Sequence, residues 1–258
     1  MKKFISNKYI LFVFGTIFFI ALWWIVSLIV DINEMVVPNP IVTFGESFRL
    51  LGILSTWVSI GYSFMRLLIG FLISLIVAFV LASLVYDHER IYHFLTPTMT
   101  VLKAIPTAAV VFMFIVISGS SFAPVYVVIL ICVPILYEAI ASGLKNIDQY
   151  VIDSTLVDGS NRLKTLFRIR LPIATPYIVV GIVTSFSLSF KVEIMAEVIT
   201  GSTKNGIGCL IRSAQSIDPT NMTGVFAYSL IAIVLMLIIT LFSMLIKRKI
   251  GVFEDKKQ

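Results

Sequence analysis

The sequence predicts an all-helical membrane protein with six transmembrane helices. Of its 258 residues, 59% are apolar and 13% are charged, and the mean hydropathy is +1.02, a composition typical of integral membrane proteins. Five stretches contain no charged residue, and each is long enough to cross the hydrocarbon layer, which takes about 20 residues of helix. These runs are continuous, whereas the strands of a barrel alternate apolar and polar residues.

The six spans are predicted from the charge-free runs and their flanks. The run from Ala104 to Tyr137 is too long for one crossing and contains SGSSFAP near its middle, so we predict two helices joined by a tight turn. No small-residue cleavage site follows the first run, which predicts a retained helix and not a signal peptide. The chain is predicted to be a single transmembrane domain, residues 1–258, with spans at about residues 9–30, 57–86, 98–118, 121–143, 172–197 and 220–246.

Lysine and arginine are distributed unevenly between the two sides of the predicted membrane. Fourteen of the 20 fall before the first span, between spans two and three, between spans four and five, or after the sixth. Because positive residues concentrate in cytoplasmic loops, we predict a multi-pass protein of the plasma or inner membrane with both termini cytoplasmic. This asymmetry accounts for the net charge of +6, so the expected surroundings are the lipid bilayer and no nucleic acid.

The sequence contains no pattern typical of catalysis or of a resident cofactor. His88 and His93 are five residues apart, whereas a helical metal-binding pair is usually four apart. The stretch GSTKNGIG, residues 201–208, is close to a phosphate-binding loop, but Ile207 stands where that loop requires lysine. We therefore predict that the chain is not an enzyme and holds no cofactor or metal. If the protein uses ATP, another chain must bind it.

The connection between spans four and five, residues 145–170, is the longest on the cytoplasmic side and is amphipathic. Apolar residues recur at near-helical spacing as far as Leu156, Gly159 then provides a break, and a second apolar face lies opposite basic residues. Pro172 follows at a position where a helix tolerates a missing amide donor. Such a segment suits either anionic lipid headgroups or a groove in a soluble partner, and composition alone leaves both readings open.

The spacing of this segment resembles the EAA loop of ATP-binding-cassette (ABC) importer permeases. That pattern reads Glu-Ala-Ala, three residues, Gly, nine residues, Ile, one residue, Leu-Pro, and this chain matches its Gly, Ile, Leu and Pro in register. An aspartate, a serine and a threonine replace the first three positions. The resemblance implies an ATPase-coupling role for Asp153, Ser154, Thr155, Gly159, Ile169, Leu171 and Pro172.

Further stretches are similar to permeases of the nitrate, sulfonate and taurine importer family. They are SFMRLLIGF at 63–71, LKAIPTAAVVFMFIVISG at 102–119, LPIATPYIVVGI at 171–182, and KVEIMAEVITGSTKNGIGCLI at 191–211. The similarity implies a type I ABC importer permease fold, with a cytoplasmic coupling helix between helices four and five.

The resemblance also implies a function and a set of partners. The chain would form the translocation pathway for a small solute that an extracytoplasmic solute-binding protein delivers, and cytoplasmic ABC ATPases, which hold the ATP and Mg²⁺, would drive alternating access. A second permease subunit would complete the pathway, and we expect an identical copy over a relative. The alternative is a self-sufficient secondary carrier driven by an ion gradient, which would normally show an internal repeat.

Four ionisable residues in or beside the predicted spans are candidates for the pathway or for intramembrane ion pairs: Arg66, Lys103, Lys191 and Glu197. A charge in hydrocarbon costs roughly 3 kcal/mol on insertion scales. Lys103 and Lys191 lie near span ends, where a long side chain can reach the interface. Arg66 lies deeper, so we hypothesise that it and Glu197 face the dimer axis, as an ion pair or as a lining. A basic lining would suit an anion, but the family that the chain resembles also includes carriers of thiamine precursors and of other neutral or cationic solutes, so the sequence leaves the solute open.

Overall fold

The computed structural model describes residues 8–30, 36–86, 88–147, 162–201 and 205–249, and these residues form helices without any strand. A single α-helical turn, Arg162–Thr165, and a π-helical turn, Leu166–Arg170, lead directly into the long helix that begins at Leu171. The helices are α1 (Lys8–Ile29), α2 (Pro40–Leu51), α3 (Leu54–Val85), α4 (Glu89–Ala104), α5 (Thr107–Ser118), α6 (Ala123–Lys145), α7 (Leu171–Thr200), α8 (Ile207–Ile217) and α9 (Thr223–Lys249).

Four of these helices are long and apolar enough to cross a membrane: α3, α6, α7 together with its π turn, and α9. The pair α4 and α5 would add a fifth if it forms one bent span. Helix α1 is apolar from Val13 to Ile29. The all-helical architecture that we predicted is confirmed, whereas the count of six spans stays a prediction.

The region that we predicted as one span over residues 98–118 is divided between two helices. Helices α4 and α5 meet at an angle of 93°. Pro106 has no amide hydrogen and disfavours a helical conformation at the residue before it, and Ile105 is extended, with φ −67° and ψ 127°. At the other end of α5, Gly119 adopts φ 75° and α6 begins four residues later at Ala123. Two helices therefore occupy the long charge-free run.

Two helices lie outside the predicted spans. Helix α2 begins at Pro40, and the Oδ1 atom of Asn39 accepts a hydrogen bond of 2.9 Å from the amide of Ile41, so a capping residue and an N-terminal proline define its start. Helix α8 begins at Ile207, inside the stretch 201–208 whose sequence is close to a phosphate-binding loop. Both helices lie between long apolar helices in the chain.

The core forms where α6 packs between α3 and α7. Small residues allow close approach of these helices. A Cβ added at Gly70 of α3 would lie 2.9 Å from Val128 of α6, and one added at Gly181 of α7 would overlap the Cβ of Ala139. Leu136 of α6 is fully buried. The outward faces of α1, α3 and α9 carry many exposed apolar side chains, as expected for surfaces in contact with lipid or with a second subunit.

Together with the π turn, α7 forms the longest continuous helix in the described part of the chain. It runs from Leu166 to Thr200, 35 residues, or about 52 Å at 1.5 Å per residue. Gly201 then adopts φ 63°, and its amide donates to the carbonyl of Glu197, a left-handed helix end that favours glycine. One end of α7 therefore lies beside the basic connection, and the other lies beside α8.

Candidate functional site

Glu197, one turn before the end of α7, is fully buried and lies at the centre of a cluster of charged and polar groups. Its Oε1 accepts a 2.7 Å hydrogen bond from Nη1 of Arg66 on α3. The hydroxyl of Ser63, also on α3, lies 2.9 Å and 2.8 Å from the two carboxylate oxygens. The amide of Gly208 in α8 donates to Oε2 at 2.9 Å. The carboxylate therefore joins three helices.

The same α3 residues also bind the segment that begins α8. Nη1 of Arg66 donates to the carbonyl of Asn205 at 2.7 Å, and the Ser63 hydroxyl accepts from the amide of Ile207 at 2.9 Å. We call this set, Ser63, Arg66, Glu197 and residues 205–208, the α8 clamp. A carboxylate at a helix N-terminus satisfies free amides and interacts favourably with the helix dipole. The clamp therefore fixes the start of α8 against α3 and α7.

Two of the glycines in the stretch 201–208, Gly206 and Gly208, are explained by the clamp. A Cβ on Gly206 would overlap the carboxylate of Glu197, and a Cβ on Gly208 would lie 2.5 Å from the carbonyl oxygen of Ile194. Gly206 also adopts φ 152°, a conformation that favours glycine. The stretch resembles a phosphate loop because its backbone approaches an anion closely, and that anion is the chain's own carboxylate.

Replacing Ser63 with alanine is expected to destabilise the protein by about 1–3 kcal/mol. The Ser63 hydroxyl is fully buried and satisfies Glu197 and the Ile207 amide together, and leaving buried polar groups unpaired has a cost of this size. Chemical unfolding of the purified protein in detergent measures the change. Ser187→Ala is the control, since that hydroxyl donates to the Val183 carbonyl of its own helix. Equal effects of the two substitutions would contradict the clamp.

Glu193 is a second buried acid on the same face of α7. It lies one turn from Glu197, is fully buried, and neither of its carboxylate oxygens has a hydrogen-bond partner within the described part of the chain. Ser189 continues this face by a further turn, and its hydroxyl lies 2.8 Å from Sγ of Cys132 on α6. Sequence reasoning did not select Glu193 as a site residue, although its i, i+4 spacing to Glu197 places both on one face.

The other predicted charges lie apart from the clamp. Lys103, near the end of α4, forms a 2.5 Å ion pair with Glu138 of α6, and each side chain is more than a third exposed. A partly exposed ion pair is compatible with the interfacial position that we expected for Lys103, which stays a prediction. Lys191 is exposed on α7 and, among the residues that the structure describes, has no ion-pair partner. Of the four candidate charges, the structure brings together only Arg66 and Glu197.

The predicted coupling residues fall into two groups. Asp153, Ser154, Thr155 and Gly159 lie outside the described residues. Ile169 is half-buried in the π turn, Leu171 begins α7 with a half-buried side chain, and Pro172 is exposed in the first turn of the helix.

The π turn is attached to the adjoining end of α3. The guanidinium carbon of the buried Arg170 lies 4.5 Å from the ring centroid of Tyr86, and the rings of Phe167 and Phe79 are 6.4 Å apart. Leu166 is buried in the same core as α6. The π turn at the start of α7 therefore packs against the C-terminal end of α3. Arg66 lies in the opposite, N-terminal half of the same helix.

A groove of about 570 Å³ lies on the α8 side of the molecule, between α2, α8 and α9. Its charged residues are Glu46, Arg49 and Asp218. The hydrogen bond from Arg49 lowers the pKa of Glu46, and the hydrogen bond from the Thr220 hydroxyl lowers the pKa of Asp218. Both acids therefore present negative charge at this groove at neutral pH.

Comparison with known proteins places this architecture in a family. The model of the family described as "Binding-protein-dependent transport system inner membrane component" matches residues 70–252, and the chain belongs to that family. It is 26% identical to the aliphatic sulfonates transport permease protein SsuC of Bacillus subtilis (strain 168) over 240 residues, 90% of this chain and 83% of SsuC. It is 28% identical to the nitrate import permease protein NrtB of Leptolyngbya laminosa over 163 residues, 61% of this chain and 56% of NrtB.

The fold is also similar to that of a solved ABC transporter. A chain in the crystal structure of the bacterial alginate ABC transporter in complex with alginate pentasaccharide-bound periplasmic protein has a TM-score of 0.63, with 16% identity, covering 94% of this chain and 96% of that chain. The permease fold that we predicted is thus confirmed. The chain is a multi-pass inner-membrane permease subunit of an ABC importer and is not itself an enzyme. These relatives support the importer over the ion-driven carrier.

Proposed function

We propose that residues 145–170 dock into an ATPase subunit and that α7 carries their movement to the α8 clamp. The main observation in support of this proposal is the continuous helix from Leu166 to Thr200. Its beginning packs against the end of α3 through Arg170 and Phe167, and its end holds α8 through Glu197. Because a packed helix moves largely as a unit, a displacement at one end is passed to the other, although the π turn and Pro176 lie near its beginning.

The partners follow from this arrangement and from the family. We propose two cytoplasmic ABC ATPase subunits, which hold ATP and Mg²⁺ while this chain holds no cofactor, and a second permease subunit identical to this one. Both termini are then cytoplasmic, and the groove with Glu46, Arg49 and Asp218 faces the extracytoplasmic solute-binding protein. A transporter of similar fold was solved with a periplasmic protein bound to its solute, which supports the solute-binding protein in this set.

The proposed solute is a small anion. Two of the sequence relatives are named for aliphatic sulfonates and for nitrate, and both solutes carry negative oxygen atoms, whereas a third is named for the zwitterion glycine betaine. Lys191 is exposed within α7, and we propose that it faces the pathway of a paired permease, whereas the charge of Arg66 is already balanced by Glu197. An anion gains free energy from a basic group in a site that excludes bulk water.

Replacing Gly159 with leucine is expected to abolish copurification of the ATPase or to remove its coupling to transport. The resemblance to the EAA loop assigns this glycine to the bend of the docking segment, and a branched side chain there would obstruct the bend. The permease is co-expressed with its partner ABC ATPase, and the complex is extracted in detergent and purified by a tag on the permease. ATPase recovery and nucleotide hydrolysis are then measured.

Gly45→Leu is the matched control for this experiment. Gly45 lies on an exposed face of α2 with no atom within 4 Å of an added Cβ, so the same substitution there should leave the ATPase bound. Normal recovery and normal coupling of the Gly159→Leu complex would contradict docking through residues 145–170.

A further inference from the structure

An exposed polar stripe runs along α7 on the side opposite the buried acids. Tyr177, Thr184 and Lys191 are all exposed and are spaced seven residues apart, so successive members lie within about 20° of each other around the helix. They extend over about 21 Å at 1.5 Å per residue. The stripe therefore presents a phenol, a hydroxyl and an ammonium group along one face of a membrane-spanning helix.

The charge of Lys191 is not neutralised by the acids beside it in the sequence. Glu193 is two positions further along α7, and residues two apart on a helix do not face each other. Glu193 is fully buried whereas Lys191 is exposed. Lys191 also lies six residues, or about 9 Å, from Glu197 toward the middle of α7. Arg66 and Lys103 have carboxylate partners, but Lys191 has none in the described ranges.

We propose that the stripe of Tyr177, Thr184 and Lys191 lines the translocation pathway and that Lys191 selects anions, an inference that rests on the function proposed above. An ammonium group without a counter-ion is costly against lipid, and such groups in membrane-spanning segments usually face a water-filled cavity. A sulfonate or nitrate group passing the stripe would supply the missing negative charge. The hydroxyl group of Tyr177 can donate a hydrogen bond to the oxygen atoms of such a solute, whereas the Thr184 hydroxyl donates to the Val180 carbonyl of its own helix.

Charged thiol reagents test the stripe without knowledge of the natural solute. Thr184→Cys is made with Lys191 intact and with Lys191→Gln, in the complete transporter reconstituted with its ATPases. Sulfonatoethyl methanethiosulfonate carries a sulfonate, and trimethylammonioethyl methanethiosulfonate carries a similar-sized cation. Modification of the permease subunit is followed with and without ATP. The chain with Thr184 intact gives the background, since Cys132 and Cys209 are both buried.

The expected result is reaction of the introduced thiol with the anionic reagent at least about tenfold faster than with the cationic one. Lys191→Gln should reduce this ratio about tenfold, the size of effect that charged cleft walls have on local ion concentration. Lys247→Gln, at the end of α9, should leave the ratio unchanged.

Two results would overturn the proposal. Absence of reaction with either reagent, in every nucleotide state, would mean that the stripe faces lipid or lies sealed between subunits. A ratio unchanged by Lys191→Gln would remove its role in anion selection. These failures differ from failure of the coupling proposal, which would appear as absence of the ATPase from the purified complex.

Discussion

Glu197→Gln is expected to destabilise the permease by about 3–5 kcal/mol, because it leaves the guanidinium of Arg66 in the protein interior without its counter-charge. The Arg66 side chain is 14% exposed and that of Glu197 is fully buried, so water can do little to replace the lost partner. Glutamine has nearly the same shape as glutamate and keeps one oxygen for the Gly208 amide. The loss therefore reports the charge and not the packing.

A double-mutant cycle identifies the pair as the cause. If Arg66 and Glu197 stabilise each other, Arg66→Met combined with Glu197→Gln should be less destabilised than the sum of the single variants. Unfolding is measured on the purified permease by increasing the fraction of denaturing detergent in mixed micelles.

The surface pair Glu46 and Arg49 provides the control, since both lie on α2 and Arg49 is largely exposed. Glu46→Gln should have a much smaller effect, because exposed ion pairs contribute little. Similar losses from Glu46→Gln and Glu197→Gln, or additivity of the Arg66 and Glu197 variants, would contradict a stabilising buried pair.

Gly181→Ala is expected to destabilise the permease by about 1–3 kcal/mol relative to Gly61→Ala, through overpacking between α7 and α6. An added Cβ at Gly181 would overlap the Cβ of Ala139, whereas one at Gly61 would meet no atom within 4 Å. Both glycines lie inside long helices, so the gain in helix propensity from alanine is the same in both and cancels in the comparison.

Thermal unfolding of the two variants in the same detergent measures this difference. Ala139→Gly in the Gly181→Ala background should restore part of the stability, because it removes the atom that the new methyl group meets. Equal midpoints for Gly181→Ala and Gly61→Ala would show that α6 and α7 do not approach each other as closely as the structure indicates.

Much of the fold could be predicted because lipid imposes a simple requirement on sequence. Every spanning helix needs a long apolar run, so the charge-free stretches at 67–86, 171–190 and 219–246 cover most of the helices over 54–85, 171–200 and 223–249. The sequence also indicates the break between α4 and α5, because Pro106 disfavours a helical conformation at the residue before it. We nevertheless predicted one continuous span there, because the apolar run extends across Pro106. Hydropathy alone does not show a change of direction.

The clamp could be predicted only in part. The sequence indicated that Arg66 and Glu197 are costly inside a membrane and need a reason to be there. It could not show that Ser63 and the amide of Gly208 would converge on the same carboxylate, because these contacts join positions 134 and 11 residues apart. The pairing of Lys103 with Glu138 was missed for the same reason, since the two lie 35 residues apart on different helices.

We propose that α7 transmits the state of the ATPases to α8 through Glu197. Hydrogen–deuterium exchange of residues 205–217 in the complete transporter, with and without ATP, measures this transmission. We expect ATP to change the exchange of these amides in the parent protein, and Glu197→Gln to abolish this response while the ATPases still bind nucleotide. An identical response to ATP in both proteins, or no response in the parent, would show that Glu197 does not connect α7 to α8 in this way.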